Sequence, residues 1–501
     1  MLPLLLACVD PTDSAEGGSA SDSGDVVSTL PTEVPLAEVD VLVIGAGAGG
    51  LASAWAARDA GASVIIVERE VVAGGATPNA GNYWAAGTSW QADGGVEDSA
   101  ALALSEWSSF TGGDGDSPVV QAFVEGSAGV LDWLVSLGAG FDLSIAIAAD
   151  TGSKPRFHQL SHTSARPPVN AVAETLVAES WFQTTATELV LDGDDVAGVW
   201  VTDAAGARGW IHAAAVVVAT GGFTRNDAIV FEALPALEAQ DTWIESFPGM
   251  DGNGLAMAGA AGAAEQNMDH LGIYAHGVAD AKIGQPEVMV IAGLDSALVV
   301  DAAGVRVTDE RQFGSVSMGT RYLTEGPYYA IADDVLWTRL SLQGRGFNYL
   351  EDPEGIMLTA AAYEALVPVA QGEDAEALGS ALGIDGAGLA ASLDRYNTDA
   401  ATGTDTEFGK PSYVFTPLGK APFRGLPIVL GRAKSFGGLA TNIDGAVLRA
   451  DGSVIVGLYA AGEACGFLGD PAIGSGLNGS VTSAWWSGLR SGAAAAGAAG
   501  G

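Results

Sequence analysis

The sequence predicts an α/β fold in which a second domain of α+β character is inserted into the first. Three observations support this prediction. Residues 40–68 have the pattern of a strand, a glycine turn, a helix and a second strand that ends in an acid. Residues 214–219 form another apolar run that leads into glycines, and the glycine pattern returns from Phe436 after a long segment of different composition. A chain of 501 residues is also too long for one ordinary core, so two domains are expected.

The first glycine turn has the spacing of a dinucleotide-binding motif. Gly45 allows the tight turn after the strand, Gly47 lets the backbone approach a pyrophosphate, and Gly50 allows the helix to pack closely on the strand. Glu68 follows at about 20 residues, the spacing at which an acid holds a ribose hydroxyl. The helix N-terminus adds free N–H groups and a partial positive charge. An ordinary glycine-rich turn would not account for the strand, the helix and the distal acid together.

The composition excludes some classes of partner and site. Lys and Arg total 21 against 61 Asp and Glu, and the formal charge of −40 would repel a nucleic-acid backbone. The acidic excess is typical of a solvated, soluble surface. The two cysteines, Cys8 and Cys465, form no CxxC motif, and the five histidines show no metal-ligand spacing, so we predict no metal site.

The N-terminus resembles a bacterial lipoprotein signal, in which Cys8 would become the lipidated first residue. Residues 11–35 are rich in Ser, Asp, Gly, Thr and Pro and have the composition of a disordered tether. We therefore expect residues 1–37 to be a signal and linker, and the protein to be anchored in the cell envelope. The alternative is a short apolar start on a cytoplasmic protein, since the basic residues of a signal are missing.

Helices and strands can be placed from the spacing of apolar residues and from glycine positions. Helices are expected at 99–110, 118–138, 355–367 and 374–396, with a last helix that runs into the Ala/Gly segment from 491. Strands are expected at 187–191, 196–202, 210–212 and 214–219.

Together these motifs resemble the flavoproteins of the fumarate reductase, succinate dehydrogenase and 3-ketosteroid dehydrogenase group. The matching segments are IGAGAGG, Glu68, GGAT, ATGGF, SFGGL, GLYAAGE and GSGLNGS, in the family's order. The resemblance implies a Rossmann-like FAD-binding domain built from residues 38–270 and 434–501. It also implies a cap domain at residues 271–433, with substrate held between the cap and the flavin.

The resemblance assigns each motif a part of FAD. It implies contacts to the phosphates, the adenosine and the flavin by Gly45, Gly47, Gly50, Glu68, Gly74, Gly75, Thr77, Ala80, Gly81, Asn82, Ala186, Ala219, Thr220, Gly221, Gly222, Gly462, Glu463, Leu477 and Asn478. Among these, Glu68 would hold the adenosine ribose and Glu463 the ribityl side. Leu477 and Asn478 would present N–H groups to the flavin O2 edge.

Two residues are candidates for catalysis by the same resemblance. His276 falls where the family has a substrate-clamping histidine, and Arg311 lies slightly before the position of the catalytic arginine. Each could instead be an ordinary surface residue. The family's second histidine is replaced by Lys434, and its second arginine is missing from residues 474–477. Too few cations remain to bind a dianion, so we do not expect fumarate or succinate as substrate.

Other side chains are weaker candidates. Tyr83 and Trp84 follow the flavin-lining turn and could touch substrate or pack in the core. Tyr328 belongs to a predicted cap strand, where core packing is favoured. Arg156 and His158 lie in a polar segment that either a substrate site or an ordinary loop would explain.

The predicted activity is hydride exchange between flavin N5 and a carbon–carbon bond next to a carbonyl or carboxylate. The substrate would be neutral or mildly polar. Since no haem or iron–sulfur ligands are evident, a separate electron donor or acceptor is expected. The alternative is a flavin-binding envelope protein with lost or altered catalysis, acting in binding or electron transfer.

Overall fold

The structure is a computed structural model of the chain. It describes residues 27–79, 82–111, 117–139, 141–147, 153–160, 166–240, 242–244, 246–278, 289–314, 316–344, 356–360, 364, 369–468 and 480–500. Cys8 and the predicted signal lie outside this part of the chain.

The α-helices come from all parts of the described chain. They are α1 (Ala48–Asp59), α2 (Ser89–Asp93), α3 (Ala100–Thr111), α4 (Pro118–Ser136), α5 (Arg166–Ala173), α6 (Asp227–Ala233), α7 (Asn253–Ala260), α8 (Val316–Glu325), α9 (Asp334–Trp337), α10 (Ala375–Leu382), α11 (Gly386–Thr402) and α12 (Ser480–Ala499). Short 3-10 helices occupy Thr77–Asn79, Glu174–Glu179, Pro235–Leu237, Leu294–Ser296, Glu310–Gly314 and Gly462–Ala464.

The strands belong to five sheets. They are β1 (Val27–Thr29), β2 (Ala37–Ile44), β3 (Val64–Glu68), β4 (Asn82–Trp84), β5 (Phe141–Ile147), β6 (Phe157–Leu160), β7 (Ser180–Phe182), β8 (Thr184–Asp192), β9 (Asp195–Asp203), β10 (Arg208–Val218), β11 (Thr242–Ile244), β12 (Glu265–Gln266), β13 (Leu271–Val278), β14 (Met289–Ala292), β15 (Leu298–Asp301), β16 (Tyr328–Ala332), β17 (Ser341–Gly344), β18 (Ile356–Thr359), β19 (Ala370–Gly372), β20 (Phe423–Pro427), β21 (Val429–Ser435), β22 (Gly438–Leu439), β23 (Ala446–Leu448) and β24 (Val454–Ala460).

The largest sheet has nine strands and carries the glycine motifs. Its path is β1-β8-β9-β10-β2-β3-β7, and β24 with β23 joins it at β10. The strands β7, β3, β2, β10 and β24 are parallel. The central strands are continuous apolar runs, as expected where both faces of a parallel sheet are covered. The pairing of β24 with β10 brings a late part of the sequence beside the first glycine turn.

The first and last helices pack together through small residues. A methyl group added to Gly488 on α12 would lie 2.3 Å from the carbonyl oxygen of Gly49 on α1. One added to Gly492 would lie 2.0 Å from the carbonyl oxygen of Ser53. Only glycine permits such a backbone approach, so these positions fix α12 against the start of the dinucleotide-binding motif.

A six-stranded sheet adjoins the glycine motifs. Its order is β11-β21-β13-β14-β17-β18, and β13 runs antiparallel to β21 at its centre. Strand β11 comes from the segment assigned to the first domain, whereas the other strands lie near or within the predicted insertion. A separate four-stranded sheet, β15-β16-β20-β19, lies wholly inside residues 271–433. The domain limits stay predictions.

A buried network of charges stabilises the inserted segment. Arg306 makes two-pronged hydrogen bonds to Glu310 and to Asp405, with N–O distances of 2.9–3.0 Å. Lys410 donates to Glu310 at 2.9 Å and to the Ala297 carbonyl at 3.0 Å. Because every one of these buried charges has an opposite partner, the large desolvation penalty of each is offset.

Most predicted elements are confirmed, and three are corrected. Residues 208–218 form one continuous strand where two were predicted. The helix predicted at 355–367 is wrong at its start, where Ile356–Thr359 pairs with β17 as a strand. The helix predicted at 374–396 is two helices, because Gly383 takes a left-handed φ of +76° and Asp385 then caps the second helix. Among the described residues, no helix is long and apolar enough to cross a membrane.

Candidate active site

A cavity of about 600 Å³ lies where β2, β3 and β10 end. Its wall combines the first glycine turn, the loop at residues 246–251, strands β13 and β21, and the start of α12. The predicted binding residues that line it are Gly45, Gly47, Glu68, Gly75, Thr77, Ala186, Ala219, Thr220, Gly221, Gly462 and Glu463. Motifs from both ends of the described chain therefore meet around one space.

The first turn is built so closely that it requires glycine. Gly45 has a φ of +101°, and a methyl group on it would lie 2.4 Å from the Ala219 carbonyl oxygen. A methyl group on Gly50 would lie 1.8 Å from the Gly45 carbonyl oxygen. Gly50 does not line the cavity, and its absent side chain instead lets α1 begin directly beneath the turn.

Gly47 forms an open cradle at the start of α1. A methyl group there would have one neighbour within 4 Å, the Gly74 carbonyl oxygen at 3.9 Å, so it would project into the cavity. The helix has no side-chain cap and no acid in its first turn. Thr77 accepts the Ala48 N–H at 3.0 Å. The partial positive charge at the N-terminus of α1 therefore favours binding of an anionic group such as a phosphate.

Glu68 ends β3 and faces the cavity with its carboxylate held by backbone. One oxygen accepts the Ala46 N–H at 2.7 Å and the other accepts the Glu70 N–H at 2.9 Å. Burial raises the pKa of this carboxyl, and the two N–H groups oppose that shift. Since a carboxylate can accept about four hydrogen bonds, capacity remains for ligand hydroxyls.

Glu463 follows β24, in a segment that packs against the start of α1 through Gly462 and Gly49. Its Oε1 accepts the Ser435 N–H at 2.8 Å, and burial raises the pKa of its carboxyl. The Ser435 N–H and the charge of Lys434 act against that rise. Gly222 packs against Glu463, since a methyl group on Gly222 would lie 2.6 Å from Oε1. Gly222 therefore supports Glu463 and does not itself line the cavity.

Strands β13 and β21 bring three further side chains to the cavity. Tyr274 and His276 are two residues apart on β13, and their rings stack with centroids 5.3 Å apart and an interplanar angle of 17°. Lys434 on β21 places its Nζ 5.9 Å from the Tyr274 ring centroid and 3.4 Å from the Ser480 Oγ. The wall here can donate hydrogen bonds, transfer a proton and present one fixed positive charge.

The family model for the FAD binding domain matches residues 40–477. The chain belongs to this family. The match covers both glycine-rich segments and the insertion between them, and it confirms the resemblance on which the cofactor prediction rests.

Curated relatives agree with this assignment. The chain is 28% identical over 435 residues to NADH:fumarate oxidoreductase of Klebsiella pneumoniae, covering 85% of this chain and 44% of that protein. It is 29% identical over 461 residues to fumarate reductase (cytochrome) of Shewanella frigidimarina, covering 89% of this chain and 75% of the relative. It is 26% identical over 480 residues to vinyl phenol reductase of Lactiplantibacillus plantarum, covering 91% and 96%.

Solved structures show the same fold. The 3-ketosteroid-Δ4-(5α)-dehydrogenase of Rhodococcus jostii, in complex with 4-androstene-3,17-dione, superposes with a TM-score of 0.72 at 25% identity, over 93% of this chain and 98% of that one. The protein is thus an FAD-dependent oxidoreductase of the class that acts on carbon–carbon bonds.

The residues present fit FAD. The open Gly47 cradle and the α1 terminus, which has no acid in its first turn, can receive the pyrophosphate, and Glu68 has acceptor capacity for ribose hydroxyls. Gly74 sits behind the cradle, where its N–H donates to the Ala46 carbonyl at 2.8 Å. Ala80, Gly81, Leu477 and Asn478 lie outside the described residues. Asn82 begins β4, and the structure describes its backbone only. The individual contacts stay predictions.

The two predicted catalytic residues have different surroundings. His276 lines the cavity. Arg311 does not: it lies in the 3-10 helix Glu310–Gly314, with its side chain 39% exposed and its guanidinium held by Asp309 at 2.6 Å. Asp309, two residues earlier in the chain, supplies the carboxylate with which this guanidinium pairs. The structure therefore does not bring Arg311 to the site.

The weaker candidates pack elsewhere. Arg156 is buried against Asp98 at 2.8 Å and Glu106 at 2.5 Å. His158 contacts Thr88 Oγ1 at 2.9 Å, and burial lowers the pKa of its imidazole. Tyr83 and Trp84 are fully buried, and the Trp84 ring contacts Trp107 and Phe123. Tyr328 packs against Tyr322 and Phe313. None of these side chains lines the cavity.

The sequence did not lead us to expect that the loop at residues 246–251 lines the cavity. It also did not lead us to expect that Tyr274 lines the cavity together with His276 on β13. Met250 and Asp251 line the cavity, and Asp251 pairs with Arg69 at 2.6 Å. Nothing in the Pro- and Gly-containing loop sequence distinguishes it from an ordinary connection. Tyr274 could have been found, because residues two apart on a strand share a face with each other and His276 was already a candidate.

Proposed function

We propose that the protein transfers a hydride between FAD and a carbon–carbon bond next to a carbonyl or carboxylate of a substrate other than a dicarboxylate. The observation that carries this proposal is the shared cavity. Residues suited to FAD and the Tyr274, His276 and Lys434 side chains line the same continuous space. A substrate held against these three side chains would therefore lie beside the cofactor.

The chain's own residues have separate tasks in this proposal. Bound FAD supplies two-electron chemistry by giving or taking a hydride. His276 carries a proton at a ring nitrogen or polarises the substrate carbonyl, and its stacking on Tyr274 restricts the orientation of the imidazole. The cavity walls orient the substrate and exclude water. Arg69 is neutralised by Asp251, so it adds little positive charge for a second carboxylate.

The names of the relatives support chemistry on unsaturated compounds of different charge. One is a vinyl phenol reductase and two are named for fumarate. Two of the names specify NADH or a cytochrome as the other redox participant. We propose that this chain likewise exchanges electrons with a separate donor or acceptor, and that the Cys8 segment, which resembles a lipoprotein signal, holds the protein at the cell envelope.

Anaerobic stopped-flow reoxidation tests the activity. Photoreduced holoprotein is mixed with a panel of neutral enones, enoates and fumarate, and flavin absorbance is followed. Reoxidation by an enone or enoate is expected, and His276→Asn should slow it by roughly 10²-fold, the usual scale of general acid–base catalysis. Arg311→Met, which removes an exposed side chain outside the cavity, is the matched control and should change the rate by less than about threefold.

Other outcomes would contradict the proposal in different ways. Reoxidation by none of the compounds would favour a flavin-binding or electron-transfer protein. Reoxidation by fumarate alone would overturn the exclusion of dicarboxylates. A large loss in Arg311→Met with a normal rate in His276→Asn would reverse the catalytic assignment.

A further inference from the structure

Lys434 is held in the cavity wall without a carboxylate partner. Among the described residues, no acidic oxygen lies within 4.0 Å of its Nζ, whereas Arg69, the other Lys or Arg side chain of the lining, pairs with Asp251 at 2.6 Å. The polar contact of Nζ is the Ser480 Oγ at 3.4 Å. The Lys434 side chain is partly buried. A partly desolvated ammonium that has no carboxylate within ion-pair distance is stabilised by binding an anion.

The neighbouring strand is shaped to hold this lysine. Lys434 lies across from Gly272 on β13, and a methyl group on Gly272 would lie 2.6 Å from Lys434 Cγ and 3.2 Å from Cε. A larger residue at 272 would displace the aliphatic stem. The rings of Tyr274 and Phe436 flank the ammonium, with centroids 5.9 Å and 5.4 Å from Nζ. The position of the charge is therefore set by packing on two sides.

The rest of this wall is planar and aromatic. The stacked Tyr274 and His276 rings continue from Lys434 along β13 and line the same cavity. Glu463 contributes a partly buried carboxyl nearby, whose pKa is lowered by the Lys434 charge against the effect of burial. One cation beside an aromatic wall and an acid can bind a single negative charge, whereas a second carboxylate would meet no further unpaired Lys or Arg among the described lining residues.

We propose that Lys434 binds the carboxylate of a planar, unsaturated monocarboxylic acid, and that the Tyr274–His276 pair contacts its conjugated or aromatic part. This inference rests on the proposed function, because it assigns the substrate class of the same site. It replaces the expectation of a neutral or mildly polar substrate with a singly charged one. Lys434 is then a specificity residue and takes no part in the proton transfer.

Equilibrium binding to oxidised holoprotein tests the inference independently of turnover. The probes are trans-cinnamate, its uncharged amide and fumarate, each titrated against the flavin absorbance spectrum. Wild type should bind cinnamate at least about tenfold more tightly than the amide or fumarate. Lys434→Met should abolish the preference for cinnamate over the amide. Lys420→Met makes the same change of charge at an exposed lysine outside the cavity lining and should retain the preference.

Several results would overturn the proposal that Lys434 binds the substrate carboxylate. Equal binding of cinnamate by wild type and Lys434→Met would remove the lysine from substrate recognition. Binding of fumarate as tightly as cinnamate would contradict a single-charge site, and so would failure of wild type to bind cinnamate. If Lys434→Met loses FAD affinity or shifts the flavin midpoint potential but keeps the cinnamate preference, the lysine serves the cofactor.

The same titration separates this inference from the proposed function. Lysine-dependent binding of cinnamate, with no reoxidation of reduced holoprotein by cinnamate or any enone, would support the anion site and overturn the proposed reaction. Reoxidation by enones without lysine-dependent binding of cinnamate would support the proposed reaction and overturn the anion site at Lys434.

Discussion

The Glu463 carboxylate accepts the Ser435 N–H at 2.8 Å, although the two residues lie on opposite sides of the strand pair β23–β24 in sequence. This contact joins the end of β21, which carries Lys434, to the segment that follows β24. This hydrogen bond holds a partly buried acid in the cavity wall, and the burial of its carboxyl makes the stability of the cofactor-free protein sensitive to pH.

Glu463→Gln should flatten the pH dependence of that stability. Burial raises the Glu463 pKa above its ordinary value of 4.5, so the folded protein holds this proton more firmly than the unfolded chain. The stability contributed is present below the ordinary pKa and is lost as pH rises through the folded pKa. Between about pH 5 and pH 8, Tm of the wild-type apoprotein should therefore fall more than Tm of Glu463→Gln. Parallel Tm profiles would contradict this, and Glu33→Gln at an exposed position is the control.

Gly47→Ala should weaken FAD binding without disturbing the apoprotein. The backbone at Gly47 has φ −73° and ψ −175°, which alanine adopts freely, and the added methyl group would occupy the cradle. Titration of apoprotein with FAD should show an affinity lower by roughly tenfold or more. Gly129→Ala in α4, where the methyl group meets no atom within 4 Å, should leave FAD affinity unchanged and stabilise the protein by up to about 1 kcal/mol. Unchanged affinity in Gly47→Ala would show that the cradle does not hold the cofactor.

Gly50→Ala should destabilise the protein itself. The methyl group would lie 1.8 Å from the Gly45 carbonyl oxygen, so α1 and the turn cannot both keep their positions. We expect a loss of about 1–3 kcal/mol or more, measured by denaturant unfolding of apoprotein. The contrast with Gly47→Ala is diagnostic, since one glycine serves packing and the other serves the ligand. An unfolding free energy equal to that of wild type would contradict the described approach of helix and turn.

Arg306→Met should destabilise the inserted segment strongly. It would leave Glu310 and Asp405 without their main cation, and burial opposes the charge of each acid. Although burial alone raises the Asp405 pKa, the Arg306 hydrogen bonds and the backbone N–H groups of Lys410 and Glu407 together lower it to about 2, so the carboxylate is charged at neutral pH. Removing one partner of a buried pair typically costs about 3–5 kcal/mol. Arg395→Met, which removes an exposed partner of Glu407, is the control. If both variants lower the free energy of unfolding by a similar small amount, the buried network does not stabilise the protein as proposed.

Local signals in the sequence indicated which residues of the first glycine turn and of β3 come together at the cavity. The Gly45, Gly47 and Gly50 spacing and the distal Glu68 depend on one contiguous strand–turn–helix–strand unit, so their arrangement follows from local geometry. The substrate half depends on which strands pair. Lys434 meets Tyr274 because β21 lies beside β13, a long-range pairing that no local pattern encodes. Likewise, the family resemblance implied a catalytic role for Arg311, but the guanidinium of Arg311 pairs with Asp309, two residues earlier.

The helix at Pro118–Ser136 and the break at Gly383 differ in how clearly the local sequence indicates them. The first is marked by a serine cap and a long apolar stripe, which are local. The second was hidden because a short Gly-Ile-Asp segment can continue an apolar pattern while ending one helix and capping the next.

The close approach of α12 to α1 has a consequence for the order of folding. Residues of the cavity wall such as Ala48 and Ala484 belong to segments separated by nearly the whole described chain, so a partly folded intermediate that lacks this long-range closure has no complete compartment for the nucleotide. Cofactor capture should accordingly be a late event in maturation, and free FAD should accelerate the disappearance of slow, protease-sensitive intermediates by trapping the closed form.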